Sequence, residues 1–183
     1  MLDMETVQLY ISDNYLDAAC ASDVAELVRS RMDGYKAMKI GSVAPDFVIR
    51  DWLGSTIQLS SLEHPYILVL FWASTCEHCR EMLPRLHRWY VEEREMDRKD
   101  RALDLEVVAL SLDTLEANFQ RYTEMLGPEW IHALDPRAWT GKIAADYFIY
   151  ATPSLFLLDE ELRIIARPRS FRQFLKAIEK LEE

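Results

Sequence analysis

Two cysteines separated by two residues, Cys76-Glu77-His78-Cys79, are the residues of this chain whose types and spacing most directly suggest chemistry. Thiols at this separation can cycle between a dithiol and a disulfide, so the motif is typical of redox-active sites. The same spacing also occurs as half of a zinc site, and two such thiols can lie unreactive in a core. Because a zinc site takes about four ligands and Cys20 is the only other cysteine, we favour the redox interpretation.

The elements on either side of the motif would place Cys76 at the start of a helix. The preceding run, Tyr66 to Leu70, is short, apolar and rich in β-forming residues, which predicts a buried strand. A helical pattern begins at Glu77 and continues to about Arg101. The free N–H groups and the positive dipole end of a helix stabilise a thiolate, so this junction suits a reactive cysteine.

The rest of the sequence predicts an α/β fold, with a mixed β-sheet and helices on both faces. The other predicted strands are short runs bounded by turn residues, at 47–50, 56–59, 105–111, 151–159 and 162–167. The later helices are predicted at 113–125, 140–147 and 170–181. Asp113 or Thr114 is expected to cap the first of these, and residues 130–136 are expected to form a connector. Loop or surface positions are expected for three histidines, His64, His87 and His132.

The first forty residues have a helical pattern, whereas the rest of the chain alternates between predicted strands and helices. Residues 3–39 predict two helices, the second capped by Ser22-Asp23, and the small-residue stretch from Gly41 to Pro45 follows them. We therefore predict an N-terminal helical extension at 1–40 and one α/β domain at 41–183. Cys20 lies between the two helices, where we favour a core position over a resolving or intermolecular thiol.

The composition argues against several classes of partner. The chain has 183 residues, enough for one sizeable core, and 31 acidic against 21 basic residues give a formal charge of −10. This charge disfavours nucleic acids and anionic membranes as partners. No apolar run approaches the roughly 20 residues of a membrane span, and the acidic start does not resemble a signal peptide. These features fit either a cytoplasmic protein or a mature or truncated form of a secreted one.

Several further motifs give the chain a resemblance to the thioredoxin superfamily, and within it to the TlpA/ResA-like thiol-disulfide oxidoreductases. Besides the cysteine pair and Thr152-Pro153, the motifs that carry it are Gly41-x-x-Ala44-Pro45-Asp46-Phe47, Trp52-x-Gly54-x-x-Ile57-x-Leu59-Ser60, Phe71-Trp72-Ala73 and Pro84. The resemblance covers about residues 41–183. It implies a thioredoxin-like mixed sheet flanked by helices.

The resemblance also implies a reaction and a set of site residues. Cys76 would attack a protein disulfide as a thiolate, and Cys79 would resolve the mixed disulfide, most simply in a reductase. Pro153 is expected to be cis, with the Thr152 backbone pairing with the substrate. Trp72 is expected to line the site. No cofactor and no metal are implied.

The expected partners also follow from the resemblance. They are disulfide-bearing substrate proteins and an upstream thiol electron donor, with no nucleic acid and no direct membrane insertion of this chain. Relatives mostly work outside the cytoplasm, which implies the periplasm or cell envelope; a cytoplasmic location is the alternative.

The chain departs from the family pattern around Cys79. Relatives often have an acidic residue at the position of Met82, whereas here Glu81 lies one residue earlier. The buried aspartate of thioredoxins corresponds to Leu70. Resolution is therefore expected to depend on Glu81, on water or on the substrate.

The two residues between the cysteines bear on the reduction potential. His78 resembles the histidine of DsbA-type oxidants, which helps to hold the first cysteine as a thiolate, whereas the charge of Glu77 disfavours a neighbouring thiolate. We expect a potential between those of thioredoxin and DsbA, roughly −270 to −120 mV.

Two other functions remain open at this point. Peroxiredoxins share the Ala44-Pro45-Asp46-Phe47 and Leu59-Ser60 segments. However, their P-x-x-x-[ST]-x-x-C pattern would require proline and Ser or Thr where this chain has Val69 and Ala73. The second alternative is a non-catalytic binding module, and the intact cysteine motif argues against it.

Overall fold

The chain divides into two compact units after Lys39. The computed structural model describes residues 23–95 and 103–181. Helix α1, Asp23–Ala37, belongs to the first unit, and the second unit begins at Ile40. The first of the two predicted N-terminal helices and Cys20 lie outside the described residues.

A five-stranded mixed sheet and a separate hairpin form the β structure of the second unit. The antiparallel hairpin consists of β1 (Val48–Arg50) and β2 (Thr56–Gln58), which lie at the positions of the strands predicted at 47–50 and 56–59. The sheet has the order β5-β4-β3-β6-β7, with β3, β4 and β5 parallel and the other two strands antiparallel to their neighbours. Its strands are β3 (Tyr66–Trp72), β4 (Leu105–Ser111), β5 (Ile131–Leu134), β6 (Ser154–Leu158) and β7 (Ile164–Ala166).

Four helices follow the strands in this unit. They are α2 (Glu77–Glu95), α3 (Glu116–Leu126), α4 (Lys142–Asp146) and α5 (Phe171–Glu179), and short 3₁₀ turns lie at Leu59–Ser61 and Ala138–Thr140. Ser170 caps α5 as predicted, because its hydroxyl accepts a hydrogen bond from the Gln173 N–H. None of the described helices is both long and apolar enough to cross a bilayer.

The central strand β3 is buried on both faces, and alternate side chains serve two different layers. Leu68, Leu70 and Trp72 belong to the core that also contains buried side chains of α2, α3 and α5. On the other face, Phe71 packs against Tyr147, at the end of α4, with ring centroids 5.1 Å apart. Helices therefore cover both faces, and the predicted fold class is confirmed.

Strand β5 differs from the prediction. Residues 131–134 pair in parallel with β4, where a connector is expected from the sequence. The run is too short and too mixed in polarity to predict a strand, and its pairing is set by the tertiary context. His132 is buried on this strand instead of lying at the surface; burial lowers its pKa to about 4.

Both edges of the five-stranded sheet are covered by chain that precedes β3. Along β7, the Gly41 N–H donates to the carbonyl oxygen of Ile164 at 2.8 Å. Along β5, the Trp52 N–H donates to the carbonyl oxygen of His132 at 2.9 Å. The segment before the hairpin and the loop of the hairpin therefore contact the sheet at its two opposite margins.

Candidate redox site

The two cysteines lie where β3 ends and α2 begins. A short loop, Ala73 to Cys76, joins the two elements, and the Cys76 N–H donates to the Ala73 carbonyl oxygen at 3.0 Å. The Cys76 carbonyl oxygen accepts from the Arg80 N–H at 3.1 Å, which is the hydrogen-bonding pattern of a helix start. The predicted strand-to-helix junction is therefore present, and Cys76 lies at the end where a helix favours negative charge.

The two thiols are close together but differ in exposure. Both are free, and Cys76 is half-buried whereas Cys79 is fully buried. The Cys79 N–H donates to the Cys76 sulfur at 3.2 Å, and the Cys76 thiol donates to the carbonyl oxygen of Thr152 at 3.2 Å. A substrate can therefore reach Cys76, while Cys79 can be reached only from inside the protein.

Burial raises the pKa of the Cys79 thiol to about 12, and its hydrogen bond with Cys76 acts in the same direction. Hydrogen bonding from the Thr152 side chain acts in the opposite direction, towards a lower pKa. In the dithiol form Cys79 is consequently protonated at neutral pH.

Strand β6 brings Thr152 and Pro153 to the cysteines. Because β6 runs antiparallel to β3, with Ser154 opposite Phe71, the residues that precede it lie at the carboxyl end of β3. The Thr152–Pro153 peptide bond is cis, which confirms the expectation from the family resemblance. The Thr152 carbonyl oxygen, which contacts the Cys76 thiol, is contributed by this bend.

A buried carboxylate on the other side of the loop was missed by the sequence analysis. The oxygens of Asp113 accept hydrogen bonds from the Ser74 N–H at 3.0 and 3.1 Å, from the Ser74 hydroxyl at 2.8 Å and from the Ser111 hydroxyl at 2.9 Å. The expected helix cap is wrong, because α3 begins after Leu115 without a side-chain cap and the Asp113 carboxylate is already engaged. Asp113 therefore anchors the loop from Ala73 to Cys76, which is called the active-site loop below.

The residues next to this anchor add two more contacts. The Arg80 side chain donates from Nε to the Ser74 carbonyl oxygen at 2.9 Å. Trp72 is fully buried, and its ring packs on Tyr122 of α3 with centroids 4.9 Å apart. Trp72 thus lies beneath the loop, where its ring packs against α3.

Three other predicted site residues are exposed on the first turns of α2. Glu77, His78 and Glu81 form no hydrogen bond or ion pair with any described residue. Glu81 is therefore exposed to solvent, whereas the Cys79 thiol is fully buried.

Comparison with known proteins identifies the family. The AhpC/TSA family profile matches residues 40–167. A ResA thiol-disulfide oxidoreductase from Oceanobacillus iheyensis is 33% identical over 147 residues, which cover 75% of this chain and 69% of that protein. The chain belongs to the AhpC/TSA family, among its ResA-like members. Another ResA, from Bacillus thuringiensis, is 26% identical over 128 residues, covering 70% of this chain and 68% of that protein.

A solved structure gives the same assignment for this ResA-like protein. The thioredoxin domain of a thiol-disulfide oxidoreductase from Bacteroides vulgatus is 26% identical, with a TM-score of 0.67, and the match covers 79% of this chain and 99% of that one. The resemblance found in the sequence is confirmed, and the protein is a thioredoxin-like thiol-disulfide oxidoreductase. The relatives favour neither the peroxidase nor the binding module.

Proposed function

We propose that Cys76 and Cys79 carry the thiol–disulfide exchange of this ResA-like protein, with Cys76 as the attacking thiol and Cys79 as the resolving thiol. The observation that carries this assignment is the unequal exposure of two thiols whose residues are joined by one hydrogen bond, from the Cys79 backbone N–H to the Cys76 sulfur. Cys76 is accessible at the start of a helix, whereas Cys79 is buried. The Cys79 backbone nitrogen lies 3.2 Å from the Cys76 sulfur.

The exchange proceeds in two steps in the reducing direction. The Cys76 thiolate attacks one sulfur of a substrate disulfide, which forms a mixed disulfide and releases the other substrate sulfur as a thiolate. Cys79 then loses its proton and attacks the Cys76 sulfur, which forms the Cys76–Cys79 disulfide and releases the second substrate sulfur. Two electrons and two protons pass to the substrate, which leaves as two thiols.

The high pKa of Cys79 fits this order of events. Two of the causes that raise it, a hydrogen bond and a charge interaction, come from Cys76. Both disappear when Cys76 is bonded in the mixed disulfide, so the Cys79 pKa falls at the step in which Cys79 must ionise. The exposure of Glu81 favours water or the departing substrate thiolate as the proton acceptor.

The partners and the setting complete the proposal. The substrates are proteins that contain a disulfide, an upstream thiol protein supplies the electrons, and the protein acts as a reductase in the cell envelope. Thr152 and Pro153 border the position of the substrate strand. With His78 and Glu77 between the cysteines, we expect a reduction potential within roughly −270 to −120 mV.

Single-cysteine variants test the two roles. Cys76→Ser should abolish reduction of a protein disulfide, whereas Cys79→Ser should accumulate a mixed disulfide with the substrate, visible by intact-mass spectrometry without reductant. Cys20→Ser is the matched control and should retain turnover. Full activity in Cys76→Ser would contradict the proposal, as would a trapped substrate on Cys79 in that variant.

The rate of peroxide consumption distinguishes a disulfide reductase from a thiol peroxidase. The wild-type protein should reduce a disulfide substrate much faster than it consumes hydrogen peroxide in the absence of any disulfide. The reverse order, with peroxide consumption lost in Cys76→Ser, would assign a peroxidase.

A further inference from the structure

A pocket of about 570 Å³ lies beside the active-site loop. Ser74 and Thr75 of the loop and Arg80 of α2 form one part of its wall. The rest of the wall is one face of α3, made by residues at helical spacing, Asn118, Arg121, Tyr122 and Met125. Because Thr75 directly precedes Cys76, a substrate joined to Cys76 could extend into this pocket.

The pocket is positive in a chain with a formal charge of −10. Its wall contains Arg80 and Arg121 and no carboxylate. Asp113, the carboxylate that anchors the loop, is buried and takes up the donors of Ser74 and Ser111. The charge of the two arginines is therefore directed at a space that no acidic side chain of the described residues enters.

The acidic side chains of α3 line a different pocket. Glu116 and Glu124, together with Asp51, border a separate space of about 500 Å³ on another face of the helix. Arg121 forms no ion pair or hydrogen bond with any residue in the described ranges. Helix α3 thus separates its charges, with the cation towards the active-site loop and the carboxylates away from it.

The geometry of Arg80 suits the binding of an anion. Its Nε donates to the Ser74 carbonyl oxygen at 2.9 Å, which holds the guanidinium against the loop. The terminal nitrogens have no partner within 23–95 or 103–181. A guanidinium held in this way offers paired N–H donors that match the two oxygens of a carboxylate.

Tyr122 contributes a neutral side chain to the pocket wall. Its hydroxyl oxygen is buried and forms no hydrogen bond with any described residue. Burial raises the pKa of Tyr122 to about 12, so the phenol keeps its proton at neutral pH and remains a donor. Among the described residues that line the pocket, the ionised groups are therefore the two arginines.

We propose that this pocket binds a carboxylate carried by the disulfide substrate, with Arg121 and Arg80 supplying the charge. The inference rests on the proposed function, because it places the substrate on Cys76. It makes the oxidoreductase selective for disulfides with an acidic group close to the reacting sulfur. That group is either the side chain of a protein residue near the cysteine or the carboxylate of a small thiol.

Matched disulfide probes test this selectivity. Three peptides with one intramolecular disulfide differ only in the residue next to a cysteine, which is Glu, Gln or Lys. Oxidised glutathione and cystamine form the small anionic and cationic pair. The rate constant for oxidation of the reduced protein is measured by quenching with acid and counting thiols by mass.

We expect the Glu peptide to react about tenfold faster than the Gln peptide at low salt, because a charge-assisted hydrogen bond is gained. Arg121→Gln should remove this preference by slowing the Glu peptide more than the Gln peptide, and Arg121→Glu should favour the Lys peptide. The matched control is Arg172→Gln, which makes the same change of charge at an exposed arginine of α5 and should leave the preference intact.

The outcomes separate the inference from the proposed function. A preference among the peptides assigns the carboxylate to a protein substrate, and a preference confined to oxidised glutathione assigns it to a small thiol; both support the pocket. Equal rates for acidic and neutral probes would overturn it while leaving the exchange reaction standing. Equal slowing of all probes by Arg121→Gln would also overturn it. Failure to oxidise with any probe would instead reject the roles of the cysteines.

Discussion

The active-site loop is held from two sides, and the two sides use different parts of the chain. On the β6 side, the contact to Cys76 is a backbone carbonyl, that of Thr152, at 3.2 Å. On the β4 side, the contacts are side-chain groups, with the Asp113 carboxylate receiving donors from Ser74 and Ser111. A backbone contact persists whatever side chain is present, whereas a carboxylate network depends on the residue type.

This difference predicts which substitutions the site tolerates. The β6 side should withstand changes of side chain that preserve the bend before the strand. The β4 side should be sensitive, because a buried acceptor leaves several donors without partners when it is lost.

Asp113→Asn should have the largest effect. The amide keeps the shape but replaces one acceptor oxygen with a donor, so hydrogen bonds to a charged group are lost, at a cost of about 1.5–3 kcal/mol. We expect a lower free energy of unfolding in urea and slower attack by Cys76 on a disulfide, since the loop position is less well defined.

Asp159→Asn is the matched control for that variant. Asp159 also accepts backbone hydrogen bonds, from Glu161 and Arg163, but it lies at the opposite end of β6. It should lower stability without changing the reactivity of Cys76. The comparison of the two sides would be wrong if Asp113→Asn left both properties unchanged, or if Asp159→Asn slowed the cysteine equally.

The buried thiol between the two sides predicts an alkaline loss of stability in the reduced protein. The Cys79 pKa is raised from 9.0 to about 12 on folding, so the unfolded chain releases this proton at a lower pH than the folded one. Stability is fully present below about pH 9 and falls as the pH rises towards 12. Between pH 8 and 10 the loss is on the order of 1 kcal/mol.

Urea unfolding of the reduced wild type and of Cys79→Ala at several pH values measures this effect. The variant lacks the titration, while the tyrosines contribute to both proteins, so the difference isolates Cys79. Parallel curves for the two proteins would show that the thiol is not buried as described.

Thr152→Val should have the smallest effect and tests the β6 side. The carbonyl oxygen remains, so attack by Cys76 should be unchanged. The hydroxyl, whose hydrogen bonding lowers the Cys79 pKa, is lost, and the resolving step should slow by less than about tenfold, the effect of one ordinary hydrogen bond. Thr152→Ser retains the hydroxyl and should resolve normally. Rapid-quench measurement of both steps checks this; equal slowing of both would show that the carbonyl contact depends on the side chain.

The two sides also differ in how far the sequence could predict them. The cysteine motif, the strand before it and the helix after it are local patterns, and the structure has them at Tyr66–Trp72 and Glu77–Glu95. The cis bond at Thr152–Pro153 could be predicted only from the family resemblance, because no local sequence pattern indicates a cis bond. The prediction of these features did not require knowing which residues that are distant in the sequence are in contact in the fold.

Asp113 could not be assigned in the same way, because its partner Ser74 is 39 residues away. Its position after a strand and before a helix favours a capping role locally, and only the parallel pairing of β3 with β4 places it beside the loop. A usable signal was present, however. Ser111 ends the strand predicted at 105–111 and Asp113 follows it, and polar groups at the carboxyl ends of adjacent parallel strands meet at one edge of a sheet.

The coverage of the sheet edges has a consequence for how the domain can be shortened. The chain from Gly41 to Trp52 pairs with β7 at one margin and β5 at the other. A fragment that begins just before β3 would keep both cysteines and most of the core, yet expose two strands with unpaired backbone groups. Such edges recruit further strands, so the fragment should aggregate through intermolecular β-pairing, whereas the chain from Ile40 onward should remain dispersed.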